Sequence, residues 1–169
     1  MIRTEGHMDA LSPQDMRILT ALVQNARITN KALAETVGLS QSGCLDRVRR
    51  LEDRGVIAGY HAQVPPEAVG VGIQALVGVR LRRHTRRAVA RFRSYVVELP
   101  EVVSLFHVTG EFDFYVEVAA RDMDHLRDFG LDSLTTRPEV EQIQTSLMFE
   151  AVRRPGWPGI RPEAGEGES

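Results

Sequence analysis

The stretch Ile28-Thr29-Asn30-Lys31-Ala32-Leu33-Ala34-Glu35-Thr36-Val37-Gly38-Leu39-Ser40-Gln41-Ser42 decides how the N-terminal part of the chain folds. Thr29 or Asn30 can cap a helix on which Ala32, Leu33 and Val37 recur at helical spacing, and Gly38 can take the positive φ that ends it. Leu39 then plugs a core just before Ser40 offers its hydroxyl to the first amides of the next helix. Two short helices joined this tightly are helix-turn-helix grammar. From Ser40 onward Cys44, Leu45, Val48 and Leu51 supply apolar positions, while Gln41, Asp46, Arg47, Arg49, Arg50 and Arg54 supply polar ones until Gly55 stops the helix. Upstream, Ser12-Pro13 reads as a cap and a first-turn proline, followed by Met16, Leu19, Leu22 and Val23 on one stripe. Downstream, the run from Val56 to Val64 alternates loosely before Pro65-Pro66 and predicts a strand, either a wing or a dimerising strand.

Beyond Pro65-Pro66-Glu67 the period changes from helical to two-residue. Val71, Ile73, Ala75, Val77, Val79 and Leu81 share one side of a long strand, with Gln74, Gly78 and Arg80 on the other. Thr85 can cap a helix with Val89, Phe92, Tyr95 and Val96 as its stripe. Val102 to Val108, a turn at Gly110, and Phe112 to Val118 read as an antiparallel hairpin. A helix over about Asp122 to Leu134 and a strand from Val140 to Phe149 complete the set. The fold class is therefore α+β, a winged helix-turn-helix followed by a ferredoxin-like βαββαβ domain with both helices on one sheet face. The expected boundaries are residues 9–60, a linker over 61–70, the second domain over 71–152, and a disordered Pro- and Gly-rich tail over 153–169 in which Trp157 either docks on a neighbour or hangs loosely. Val77, Val79 and Tyr115 are expected on the open sheet face, which would then need a partner.

Composition narrows the class. The 169 residues are 43% hydrophobic with no run long enough for a transmembrane or secretory segment, which predicts a soluble, cytoplasmic protein with no membrane partner. Met1 to His7 is patternless, with Met8 a candidate native start. One cysteine leaves no internal disulfide, and Cys44 reads as a small buried side chain. His61, His84, His107 and His125 lack metal-ligand spacing, so no metal or cofactor is expected. A net charge of −2 is awkward for a nucleic-acid binder, but the arginines cluster in Arg47 to Arg54 and Arg80 to Arg93.

The helix from Ser40 is read as entering the major groove of double-stranded DNA, with Ser40, Gln41 and Ser42 near base edges or phosphates. Thr29 and Asn30 stand beside it, and Arg47, Arg49 and Arg50 can hold the backbone. Arg49 faces outward with Ser42, Leu45 and Asp46, away from the Cys44, Val48 and Leu51 stripe, and suits guanine; Gln41 suits adenine. Arg47 lies beside the core stripe and is alternatively structural, bonding Glu52 or a neighbouring loop. Gly43 marks either a close approach of backbone to DNA or a frayed helix start. The run Arg80 to Arg93 is a solvated face, a surface for wrapped DNA, or a partner for acids on another subunit.

A second site centres on Thr109-Gly110-Glu111-Phe112-Asp113, which offers amides, a flexible turn and fixed charge. Asp113 or Glu111 suits an ammonium group, while turn amides and the hydroxyls of Thr109, Thr135 or Thr136 can hold a carboxylate, making a receptor the size of an amino acid between subunits. The alternative for Gly110 and Asp113 is a purely structural hairpin turn.

Asp15, Ile18-Leu19, Leu22, Asn25-Ala26-Arg27, Leu33-Ala34, Gly38-Leu39-Ser40, Arg47, Arg50-Leu51-Glu52, Gly55-Val56-Ile57, Gly59-Tyr60 and Gly70 form a series that resembles the leucine-responsive/asparagine regulator family (Lrp/AsnC, or feast/famine). The likeness continues through Val108-Thr109-Gly110-Glu111-Phe112-Asp113-Phe114, which resembles that family's glycine-aspartate turn between two strands. The resemblance implies a transcriptional regulator of amino-acid or nitrogen metabolism that pairs its sheets into homodimers and assembles further into octameric discs. It also implies an amino-acid effector at the dimer-dimer interface, bordered by the turn, the end of the second helix and the last strand. On that basis Gln144 and Thr145 join the effector candidates, and Ile143 stands where the family often has a hydroxyl residue. No catalytic constellation is present: no Gly-rich phosphate loop follows a strand, and there is no nucleophile elbow or Cys-His arrangement, so the chain is not read as an enzyme. The competing class is a ligand-binding oligomerisation module with little or no specific DNA binding.

Overall fold

A computed structural model describes residues 10–160. The leader, the candidate start at Met8 and the tail from 161 lie outside the described residues. The described residues divide into two compact units, 10–62 together with 153–160, and Gln63–Val152.

The first unit is built on three helices, α1 (Pro13–Gln24), α2 (Asn30–Val37) and α3 (Gln41–Asp53). Each starts where a side-chain oxygen is placed to accept a backbone amide. Ser12 accepts from Asp15 while the Asp15 carboxylate accepts the Ser12 amide, a reciprocal capping box ahead of Pro13. Thr29 and Ser40 cap the other two, and Gly38 ends α2 at a φ of 73°. Ile18, Leu19, Leu33, Ala34, Val37, Cys44 and Leu51 are buried together, with Leu22, Leu39 and Val48 against them. Burial pushes the Cys44 thiol above its ordinary range, which suits an inert core side chain.

The strand expected over Val56 to Val64 does not form. Val56 and Ile57 fold back instead, both amides donating to the Leu51 carbonyl and both side chains closing the three-helix core. The residues that follow have no strand within the unit to pair with, and a strand exists only as part of a ladder. Tyr60 turns its hydroxyl onto Glu52 at 3.0 Å. In the tail, Arg153 to Ile160 carry no helix or strand, yet Ile160 packs on the helical core and Gly156 sits so near Val23 that a Cβ would come within 2.9 Å. Trp157 is exposed.

The second unit opens with a 3-10 turn, Pro66–Val69, inside the expected linker. It continues as β1 (Ile73–Leu81), α4 (Arg86–Val96), β2 (Val102–His107), β3 (Phe114–Ala120), α5 (Met123–Asp128) and β4 (Val140–Leu147). The strands form one antiparallel sheet in the order β2-β3-β1-β4, the split βαβ topology. α5 runs on as a π-helical segment, Phe129–Thr135, before the chain turns into β4. Phe92 and Val96 of α4, Leu126 of α5, and Phe129 and Leu134 of the π segment cover Ala75, Val77, Val79, Leu81, Phe114, Val116 and Val118. Phe92 is wholly buried with its ring 5.0 Å from that of Phe114, a burial worth about 2–3 kcal/mol.

Val77 and Val79 therefore lie under the helices, not on the open face. Alternation gave their shared side correctly but says nothing about which side the helices cover. The opposite side presents Gln74, Leu76, Gly78 and Arg80 with Tyr115, Glu117 and Ala119. Of these, Glu117 is only 3% exposed.

Candidate functional site

On α3 the structural work and the outward chemistry fall to different residues. The Ser40 hydroxyl accepts the Gly43 amide at 3.2 Å, and a Cβ on Gly43 would stand 3.0 Å from that same oxygen. Glycine at 43 thus makes room for the cap. Asn30, at the start of α2, donates through Nδ2 to the Gln41 carbonyl at 2.9 Å and fixes where α3 begins, while Thr29 caps α2 by accepting from Ala32. These two candidates and Ser40 therefore take part in placing the helices, each through one hydrogen bond.

Arg47 makes a structural contact, with Asp15 and Ser12 and not with Glu52. Its Nη1 reaches Asp15 Oδ1 at 3.0 Å and Ser12 Oγ at 3.2 Å, locking α3 to the capping box of α1. Burial pushes the Asp15 carboxyl up, but the Ser12 side-chain and backbone hydrogen bonds, then the bond and charge of Arg47, outweigh it and hold the group below the ordinary aspartate range. Gln41, Ser42, Asp46, Arg49 and Arg50 remain exposed on the outer side of α3. Leu45, apolar but expected on the side of Ser42 and Arg49, joins them at 37% exposure. Its spacing of three from Ser42 and four from Arg49 puts it on that face.

The second group of candidates is arranged differently. Gly110 has a φ of 122°, and Thr109, Gly110 and Glu111 are exposed at the tip of the β2-β3 turn. Phe112 and Asp113 are buried. The Phe112 ring lies over Gly78, where a Cβ would meet it at 2.8 Å, so the glycine in β1 is what lets the turn fold onto the sheet. Asp113 Oδ2 accepts the Leu81 amide at 2.6 Å, Oδ1 lies 2.8 Å from His84 Nδ1, and the Asp113 amide donates to the Val79 carbonyl. Arg80 Nε donates to the Glu111 carbonyl at 2.8 Å, pinning the turn from the open side. Asp113 is thus a clasp between the turn and the end of β1. His84, which no sequence pattern singled out, is its second partner.

Thr135 and Thr136 end the π segment, but each hydroxyl donates back into it, to the carbonyls of Leu131 and Asp132 at 2.7 Å. The connection they occupy lies at the same end of the sheet as the turn, since Val140 pairs with Leu81. Gln144 pairs with Gly78 and therefore shares the open face with Phe112, whereas Thr145, one residue on, points to the other face. An open cleft of about 550 Å³ lies at the opposite end, lined by Pro66, Val71, Ile73, Leu147 and Phe149 among others, and none of the effector candidates borders it.

Comparison with known proteins places these units. The model of the Lrp/AsnC ligand binding domain matches residues 74–158, and that of winged helix-turn-helix DNA-binding domains matches residues 11–58. The chain is 43% identical over 139 residues to the HTH-type transcriptional regulator AldR of Mycolicibacterium smegmatis, covering 82% of this chain and 81% of AldR. It is 31% identical over 139 residues to the DNA-binding transcriptional activator DecR of Escherichia coli K12, covering 82% of this chain and 91% of DecR. The crystal structure of a Neisseria meningitidis transcriptional regulator in complex with L-Met superimposes with a TM-score of 0.79 at 36% identity, covering 86% of this chain and 94% of that one. These relatives are regulators and not enzymes, and no helix among the described residues is long and apolar enough to cross a membrane. The chain belongs to the Lrp/AsnC family of transcriptional regulators, with a winged helix-turn-helix DNA-binding domain and a ligand-binding domain.

Proposed function

We propose that the protein is a cytoplasmic, homo-oligomeric regulator that reads a two-fold symmetric DNA site through the outer face of α3. Its second domain, over residues 71–152, oligomerises and takes an amino acid as effector. The observation that carries the first half is the division of labour on α3: Ser40, Asn30, Gly43 and Arg47 hold the helix in place, and Gln41, Ser42, Asp46, Arg49 and Arg50 face outward together. Gln41 and Arg49 can read adenine and guanine edges, while Ser42 and Arg50 meet phosphates. An amino-acid effector is supported by the ligand-binding domain model and by the L-Met complex of the Neisseria meningitidis relative.

Within the effector corner the chemistry favours Glu111 over Asp113 for the ammonium group. Among the described residues the exposed Glu111 side chain makes no hydrogen bond or ion pair, whereas both Asp113 oxygens are engaged. The exposed amides around Gly110, with Thr109, are suited to the carboxylate. Effector binding acts by favouring one assembly, dimer or octamer, and so the spacing of the reading heads. The test is retention of the purified protein on its own upstream DNA at two salt concentrations, with a panel of amino acids. Specific retention that weakens with salt and shifts with one amino acid supports both halves. Absence of retention under every condition leaves an oligomeric ligand-binding protein. Glu111→Ala should abolish the amino-acid response without altering thermal stability, and a retained response moves the site elsewhere.

A further inference from the structure

The segment from Arg80 to Arg93 carries more unneutralised positive charge than the reading helix does. No acid occurs between Ala68 and Val97, while seven of the chain's 21 basic residues fall between Arg80 and Arg93. Arg82 and Arg83 sit in the bend after β1, Arg86 and Arg87 form the first turn of α4, and Arg91 and Arg93 follow along it, all exposed. Among the described residues, Arg82, Arg83, Arg86, Arg87 and Arg93 make no ion pair or side-chain hydrogen bond. Arg91 alone contributes its charge to Glu139. Phe92 and Val96 bury the opposite side of the helix, so the arginines cannot fold inward.

This arrangement works against local stability. Two cations in the first turn of α4 face the positive end of the helix macrodipole, with no acid there to offset them, and they stand beside two more cations in the preceding bend. A polyanion would relieve both costs. At the reading helix, by contrast, Arg47 is committed to Asp15, which leaves Arg49 and Arg50 as exposed cations in a chain of net charge −2. Phosphate contacts supply most of the sequence-independent part of DNA affinity, so unpaired arginines outside α3 can add to it.

We propose that Arg82, Arg83, Arg86 and Arg87, extended by Arg91 and Arg93, form a second contact surface for the DNA phosphate backbone, engaged by duplex that flanks the site read by α3. The surface carries no sequence information and adds length-dependent affinity. This rests on the DNA-reading role proposed for α3, and the experiment separates the two. Wild-type protein and a variant with Arg82→Gln, Arg83→Gln, Arg86→Gln and Arg87→Gln are titrated against a duplex covering the site alone and against the same site with long flanks, over a salt series. The exposed glutamines leave the helix propensity of α4 nearly unchanged, and circular dichroism checks the fold.

Wild type should bind the long duplex at least about tenfold more tightly than the short one, and with a steeper salt dependence. The variant should match wild type on the short duplex, lose that tenfold on the long one, and flatten the slope by about 0.9 for each phosphate contact removed. The corresponding four-lysine variant should recover the slope. Equal affinity of wild type for both duplexes overturns the proposal while leaving α3 reading intact. So does an unchanged slope in the variant accompanied by a change in oligomeric mass, which would assign the arginines to an acidic protein surface. Failure of wild type to distinguish the short specific duplex from a scrambled one refutes the α3 reading itself.

Discussion

The outer face of α3 and the turn Thr109 to Asp113 look alike in sequence, each a short run of polar residues beside a glycine, but they divide their labour in opposite ways. On α3, separate residues anchor the helix, and the outward set keeps its hydrogen-bonding capacity. In the turn, Phe112 and Asp113 are themselves the anchors, and only Thr109, Gly110 and Glu111 remain exposed. A polar residue in a plausible site is available to a ligand only if the fold does not already use it. A buried carboxylate that closes a sheet corner is the case most easily mistaken for a receptor group.

Four substitutions test that contrast. Asp113→Ala strips the acceptor from the buried Leu81 amide and the partner from His84, and should destabilise the second domain by about 2–3 kcal/mol in denaturant unfolding. A stable variant that loses only its amino-acid response would make Asp113 a ligand group and erase the contrast. Arg49→Ala removes an exposed side chain and should cost about 2 kcal/mol of specific DNA affinity with no loss of folding stability. Arg47→Ala should do the reverse, lowering stability by about 1–2 kcal/mol because Asp15 keeps its Ser12 bonds but loses its cation. Gly43→Ala gains about 1 kcal/mol of helix propensity and crowds the Ser40 cap, so its stability should stay within roughly 0.5 kcal/mol of wild type. A large loss of DNA affinity in that stable variant would point to close backbone approach instead.

Asp15 adds a pH test of the same anchor. Its carboxyl is held below the ordinary aspartate range in the folded protein, so the unfolded state takes up the proton first as pH falls. The stabilisation it gives is complete above the usual aspartate value of about 3.9 and is lost as pH drops through the folded value. Asp15→Asn should therefore be less stable than wild type at neutral pH and should lose less stability on acidification. Parallel acid limbs for the two proteins would show that the Asp15 to Arg47 contact contributes little.

Local grammar was legible in the sequence, and long-range partnership was not. Ser12, Thr29, Ser40 and Thr85 cap helices as their hydroxyls predict, and Gly38 closes α2. The alternation in β1 and the strand-helix order give the sheet. The partner of Arg47 lies 32 residues away, and that of Asp113 in β1 is equally distant in sequence, so neither spacing rule could reach them. The strand expected over Val56 to Val64 has no ladder partner among the described residues, and strand propensity cannot create one. The alternation itself was legible: Gln144 and Thr145 are adjacent in a strand, and adjacent residues face opposite ways.

The most direct test of the account is the ratio of affinities for the protein's own upstream site and a scrambled duplex, measured for wild type, Arg49→Ala and Arg47→Ala at a temperature where all three are folded. The account predicts that Arg49→Ala lowers the ratio about tenfold or more while Arg47→Ala leaves it unchanged. An unchanged ratio for Arg49→Ala, or an equal loss in both variants, would contradict the assignment of the outer face of α3 as the reading surface.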